Sequence, residues 1–203
     1  MVMWRSLAAA LLSVMLIFCF SCASIEGAVG PENAAEQPQA AMPGLPPMPR
    51  AGESAPGFEL LSVDGKSYSL KEKTDGKVVS LVFWSLFCAP CRRSMPILND
   101  FYKELRDKDF EVVTVNMDGE RFVDSIKSYV AEEGLEFAIL MDEYDGNSFK
   151  VADPYGVQGT PSIFLIDKDG VVAFSMAGDL ERDKLEDLIA RELSERDHEN
   201  APE

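Results

Sequence analysis

FWSLFCAPCRRSMP, residues 83–96, sets Cys88 and Cys91 two residues apart, directly after an apolar run and just before a stretch with helical spacing. Such a pair has four chemical uses: haem attachment, zinc binding, a structural disulfide, or cycling between dithiol and disulfide. Haem attachment needs a histidine after the second cysteine, and Arg92 stands there. Zinc needs two further ligands, and the remaining cysteines, Cys19 and Cys22, lie in an apolar leader too distant for a compact four-cysteine site. A disulfide across so short a spacing closes a very small loop, constrains the unfolded chain little and makes a poor staple. Redox cycling fits the position. A helix beginning at Cys88 aims the unsatisfied N–H groups of its first turn, and the positive end of its dipole, at the sulfur, which favours thiolate over thiol. Pro90 is tolerated in that turn, and Arg92 and Arg93 add positive charge close by. Cys88 is then the nucleophile, and Cys91, one turn further in, attacks the mixed disulfide and releases the substrate.

Working outward, KVVSLVFW (77–84) reads as a strand buried on both faces, and a helix follows over 89–107 with Leu98, Phe101 and Leu105 at helical spacing and a bend at Pro96. FELLSVDGKSYSL (58–70) reads as two short strands around an Asp64-Gly65 turn. Beyond the helix come a strand (110–117), an amphipathic helix (120–132), a strand (136–141) and a short helix near 146–152. SIFLID (162–167) and VVAFSMA (171–177) flank an Asp169-Gly170 turn and predict an antiparallel hairpin, and a helix over 180–193 closes the pattern. The earlier strand-helix-strand order demands a parallel crossover, so the expected architecture is α/β, with a central mixed sheet carrying helices on both faces.

The first residues, MVMWRSLAAALLSVMLIFCFSCAS, combine one positive charge at Arg5 with an apolar stretch from Leu7 to Phe20 and then small residues, the pattern of an export signal or membrane anchor. Three readings stand side by side: lipidation of Cys22 at a lipobox-like LIFCFSC, cleavage after Ala23, and retention as an uncleaved span. Each places the chain beyond the cytoplasmic membrane, in a periplasmic or other extracytoplasmic compartment that permits disulfides. Residues 24–50, rich in Pro, Ala, Gly and Gln and without apolar periodicity, read as a flexible linker. The expected organisation is leader 1–23, linker 24–50, one folded domain over 51–197 and a disordered tail over 198–203.

Charge removes other functions. A formal net charge of −16, from 35 acidic and 19 basic residues, leaves no basic patch to neutralise phosphates, so nucleic acid is not an expected partner. The one histidine, His198, sits in the tail and cannot supply a catalytic triad or a histidine-rich metal centre.

A second signal lies seventy residues beyond the cysteines. VQGTPSIFLID puts Thr160-Pro161 immediately before a buried strand, where a cis proline turns the preceding backbone outward as an edge for a bound peptide. Together with APGFELLSVDGKSYSL, KVVSLVFWSLFCAPCRRSMPIL, VVTVNMD and YGVQGTPSIFLIDKDG, these residues resemble the exported thioredoxin-like thiol-disulfide oxidoreductases of the TlpA/ResA type, over 51–193. The resemblance implies a thioredoxin-like fold with an N-terminal β-hairpin and a central αβ insertion at 120–141. It implies attack by Cys88, resolution by Cys91, and a client surface made by Trp84, Ala89, Pro90, Thr160 and Pro161. It implies a redox-active disulfide with no metal or other cofactor. The implied partners are cysteine-containing protein clients, apocytochrome c among them, with a membrane thiol carrier as electron donor and a bias toward reduction.

Two departures bear on proton transfer. Phe87 precedes Cys88 where the family usually has Trp, and Ser94 stands three residues after Cys91 where Glu is common. Val82 also occupies the place of the aspartate that cytoplasmic thioredoxins bury. Ser94 and Arg92 are therefore the residues expected to set the titration of Cys88, with Asp118 or Glu120 as places for a replacement acid. Two other classes share part of the pattern. A peroxiredoxin shares the APGF opening and a hydroxyl at Ser85, but its motif needs proline where Leu81 stands. A non-catalytic module that binds reduced clients differs by failing to turn over insulin.

Overall fold

Strand β3 (Val78–Trp84) is the spine of the domain, and all seven of its residues are buried. A computed structural model describes residues 45–199; residues 1–44, with the leader, Cys22 and most of the expected linker, and residues 200–203 lie outside the described residues. Around β3 the sheet runs β2 (Ser67–Ser69), β1 (Glu59–Ser62), β5 (Ala138–Met141), β4 (Phe110–Asn116), β3, β6 (Ser162–Ile166), β7 (Val172–Ala177). β3 pairs parallel with β4, and β4 parallel with β5, while β3–β6, β6–β7, β1–β2 and β1–β5 are antiparallel. This is a thioredoxin-like mixed sheet with the expected N-terminal hairpin and central insertion.

The period of two along β3 divides the core into two. Val78, Val82 and Trp84 point to the face covered by α2 (Ala89–Leu105), α3 (Val123–Glu133) and α4 (Arg182–Glu199), where Met95, Leu98, Phe101, Ile126 and Leu185 meet them. Val79, Leu81 and Phe83 point to the other face. There the cover is thinner: Leu70 of α1 (Leu70–Thr74), and Val151, Ala152, Tyr155 and Val157 from a run of turns. Tyr155 is wholly buried among Phe58, Phe83 and Phe164, with ring centroids 4.9 to 6.3 Å away. Burial pushes its hydroxyl far above the ordinary tyrosine range, and that hydroxyl donates to Pro56 O at 2.8 Å. Asn99 of α2 ties the insertion down, its amide donating to Gly134 O and its carbonyl accepting from Glu136 N.

Two expectations need correction. The helix expected near 146–152 does not form; 150–156 is a run of turns. Aspartates take the N–H groups that would begin it: Asp142 accepts from Glu143, Val151 and Ala152, Asp145 from Asn147 and Ser148, and Asp153 from Phe149. The stretch 45–50, read as the end of a flexible linker, lies packed on the domain. Pro49 O accepts from Ser175 Oγ at 2.7 Å, Met48 joins the second core, and Gly52 and Ala55 donate to the carbonyls of Val172 and Gly170. Pro46, Pro47 and Pro49 have no N–H to donate, so the strap is held by the Pro49 carbonyl, by Met48 and by close backbone approach. Gly156, at φ +63°, is where that approach occurs: a side chain there would strike Pro46 O, Pro47 and Met48 N.

Candidate active site

The register of the central strands assembles the site. Trp84 lies opposite Asn116 at the C-terminal ends of the parallel pair, and Phe83 lies opposite Ser162 on the other side. The loop leaving β3, the loop leaving β4 and the loop entering β6 therefore converge on one rim.

Cys88 is the N-cap of α2, with extended backbone (φ −87°, ψ 107°), and its sulfur accepts from the Cys91 N–H at 3.2 Å. Pro90 occupies the first turn without disrupting it, and Arg92 N–H closes onto Cys88 O at 3.1 Å. Cys88 and Cys91 are joined as a disulfide with Cα atoms 5.2 Å apart. Cys88 is half-buried whereas Cys91 is fully buried, so the first sulfur is the accessible one and the second is sealed behind it. Thr160–Pro161 is cis, and Thr160 O stands 3.4 Å from Cys88 Sγ, where it accepts a hydrogen bond when that sulfur carries a proton. Pro161 O in turn accepts from Gly178 N–H at 2.8 Å, which seats the turn on the end of β7.

Of the residues expected at the client surface, Ala89 is exposed, Pro90 and Thr160 are half-buried, and all three surround Cys88 beside the buried Pro161. Trp84 does not join them. It is wholly buried on the helix-covered face, its ring 5.8 Å from that of Tyr129, because the alternation of β3 turns it inward. The exposed aromatic is Phe87, 67% accessible, whose ring meets Phe122 edge-on at 4.9 Å.

Ser94 is buried and donates to Pro90 O at 3.2 Å, so it offers a hydroxyl and no charge beneath the cysteines. Arg92 is exposed, and its backbone carbonyl accepts from the Tyr129 hydroxyl at 3.3 Å. That hydroxyl is pushed up to about 12, first by burial and then by the negative charge of Glu133, with Arg92 opposing. Arg93 pairs with both carboxylate oxygens of Asp179 at 3.1 Å, so its charge is already partnered.

The principal residue missed as a structural element is Asp118. It accepts from Ser85 Oγ at 2.6 Å, Leu86 N–H at 2.7 Å and Asn116 Nδ2 at 3.0 Å, and Ser85 Oγ then accepts from Phe87 N–H at 3.1 Å. Cys88 N–H closes the loop onto Ser85 O at 3.2 Å. The Asn-x-Asp at the end of a strand was the available signal. What it could not reveal is that the carboxylate faces the cysteine loop instead of solvent.

Residues 50–189 match the redoxin family model. The chain belongs to the redoxin family. The thiol-disulfide oxidoreductase ResA of Bacillus thuringiensis is 33% identical over 140 residues, covering 69% of this chain and 77% of that protein. The ResA of Halalkalibacterium halodurans is 31% identical over 140 residues, covering 69% of this chain and 76% of that one. A crystal structure from Chlorobium tepidum, described as a putative thiol:disulfide interchange protein DsbE, superposes with a TM-score of 0.63 at 32% identity. It covers 72% of this chain and 99% of that one. This redoxin is accordingly a thiol-disulfide oxidoreductase of the ResA/DsbE type, and its redox group is the cysteine pair itself.

Proposed function

We propose that the chain is an exported, membrane-tethered reductant of disulfides in protein clients, apocytochrome c among them, recharged by a membrane thiol carrier. The observation that carries the reading is the asymmetry of the pair: Cys88 at the mouth on a helix N-terminus, Cys91 sealed behind it. In the reduced protein the Cys91 N–H and the first turn of α2 stabilise a Cys88 thiolate. That thiolate attacks one sulfur of a client disulfide, forming a mixed disulfide and expelling the other client sulfur as thiolate. Cys91, deprotonated, attacks Cys88 Sγ, and the second client sulfur leaves and takes up a proton. The client gains two electrons and the protein is left as the Cys88–Cys91 disulfide. The apolar leader supports export and anchorage, with Cys22 as the candidate lipid attachment.

The test is insulin reduction by substoichiometric protein supplied with dithiothreitol. Wild type should exceed background, Cys88→Ala should abolish turnover, and Cys91→Ala should accumulate mixed disulfide. Equilibration in glutathione buffers should leave the pair more reducing than glutathione; an oxidising poise would reverse the proposed direction. Mature protein beginning at Ser24, seen by mass spectrometry, would end the lipid anchor.

A further inference from the structure

Pro96 lies inside α2 and brings no N–H, so the carbonyl one turn before it, that of Arg92, has no donor within the helix. The gap falls just past the cysteines. Arg92 N–H donates to Cys88 O at 3.1 Å, and the Arg92 carbonyl takes its own hydrogen bond from outside the helix, from the Tyr129 hydroxyl of α3 at 3.3 Å. Cys88, Arg92 and Tyr129 thus stand in one chain of hydrogen bonds that runs from the cysteine loop to the insertion.

The ring of Tyr129 completes a bracket. It lies 5.8 Å from the ring of Trp84, the last residue of β3, where the strand turns into the cysteine loop. A single side chain therefore meets both the segment entering the loop and the helix leaving it. Burial pushes the hydroxyl up to about 12, so it keeps its proton and donates throughout the neutral range. The other polar ties on this end of α2 hold it less firmly to the domain. Ser94 Oγ donates to Pro90 O within the helix itself, and Arg93 and Asp179 are 64% and 62% accessible, where an ion pair contributes little.

The bracket matters when the disulfide is open. In the oxidised protein the S–S bond fixes Cys91 against Cys88. In the dithiol and in the mixed disulfide no bond joins the two sulfurs, and their approach follows the set of the first helical turn. We propose that Tyr129 is a positioning residue for the resolving step, holding that turn through the Arg92 carbonyl so that Cys91 stays beneath Cys88. The inference rests on the assignment above of attack to Cys88 and resolution to Cys91. In the step it serves, the Cys91 thiolate bonds to Cys88 Sγ and the bond from Cys88 to the client sulfur breaks. That sulfur leaves with the electron pair and takes up a proton.

The experiment mixes the reduced full chain with an aromatic disulfide, dithiobis(nitrobenzoic acid), in a stopped-flow cell. Attack releases one nitrothiobenzoate at a rate that rises with probe concentration; resolution releases a second at a rate that does not. Tyr129→Phe keeps the ring against Trp84 and removes the donor. It should slow the second release about fivefold, the worth of one hydrogen bond, and leave the first within about twofold. In glutathione buffers the same loss of proximity should lower the equilibrium constant for closing the disulfide by about fivefold, a shift of about 20 mV toward oxidising potentials. Pro96→Ala returns an N–H to the Arg92 carbonyl, so in that background Tyr129→Phe should change the second release less than about twofold. A second release unchanged in Tyr129→Phe, with water taking the place of the hydroxyl, overturns the proposal. So does equal slowing of both releases, or a Tyr129→Phe effect undiminished in the Pro96→Ala background. Where resolution outruns attack at every probe concentration, the glutathione equilibrium decides, and an unshifted constant overturns the proposal. Cys88→Ala and Cys91→Ala test the assignment beneath it separately. A rapid first release that survives in Cys88→Ala and is lost in Cys91→Ala reverses the roles, while the glutathione equilibrium of Tyr129→Phe still reads whether the hydroxyl holds the pair together.

Discussion

Asp118 and Asp142 each bracket a loop with one carboxylate, yet the two loops are held in opposite ways. Asp142 is buried beneath its turn and takes the N–H groups of Glu143, Val151 and Ala152 from within. Asp118 is only half-buried and grips the cysteine loop by its shoulder, at Ser85 and Leu86, leaving Phe87 and Cys88 beyond it. The first arrangement makes a turn that stays shut and roofs a core. The second fixes the base of a loop while its tip, at Phe87, stays exposed. A single chemical device, a carboxylate satisfying backbone donors, thus serves stability in one place and presentation in the other.

Removing each carboxylate should separate the two uses. Asp142→Ala leaves the buried N–H groups of Val151 and Ala152 without their acceptor and should cost about 3 to 4 kcal/mol, read from urea unfolding. A loss under about 1 kcal/mol would mean that the turn finds other acceptors. Asp118→Ala should cost less, about 1 to 2 kcal/mol, because water replaces part of what the half-buried carboxylate supplied. It should nevertheless slow insulin reduction by about tenfold through a misplaced cysteine loop. Equal activity in that variant would break the comparison by making the Asp118 bracket a matter of stability alone.

The smallest effect concerns pH. Burial raises the Asp142 carboxyl above its ordinary value, against the pull of its three N–H donors. In that window the folded state binds more protons than the unfolded one. The corresponding stability is therefore present below the unfolded value, about 3.9, and is lost as pH rises through the higher folded one. Asp142→Asn removes this dependence. The difference in urea midpoint between wild type and Asp142→Asn should change with pH across that acid window and stay constant above it.

The contrast also explains what could be read in advance. The all-buried β3, the cysteines at its exit, the Thr160–Pro161 turn before β6 and the 162–177 hairpin follow from periodicity and turn chemistry close in sequence. The family resemblance puts Trp84 on the client surface, but the strand's alternation turns it into the helix-covered core. The Asp142 turn displaced an expected helix because its acceptors lie nine and ten residues from their donors. The Asp118 bracket spans more than thirty residues and closes only when β3 and β4 are paired. Side-chain capping across such gaps leaves no periodic trace.

The strap over residues 45–49 has the same long-range character, and Gly156 makes its seating all or none. With the backbone of Pro47 and Met48 where a methyl group would stand, 2.7 Å from such a carbon, no L-residue at 156 leaves the strap in place. Cutting away the strap and enlarging position 156 are therefore one lesion reached from two ends of the chain. Either uncovers the thinly roofed side of the sheet around Tyr155 and Val157, and once one has been made the other has little left to damage.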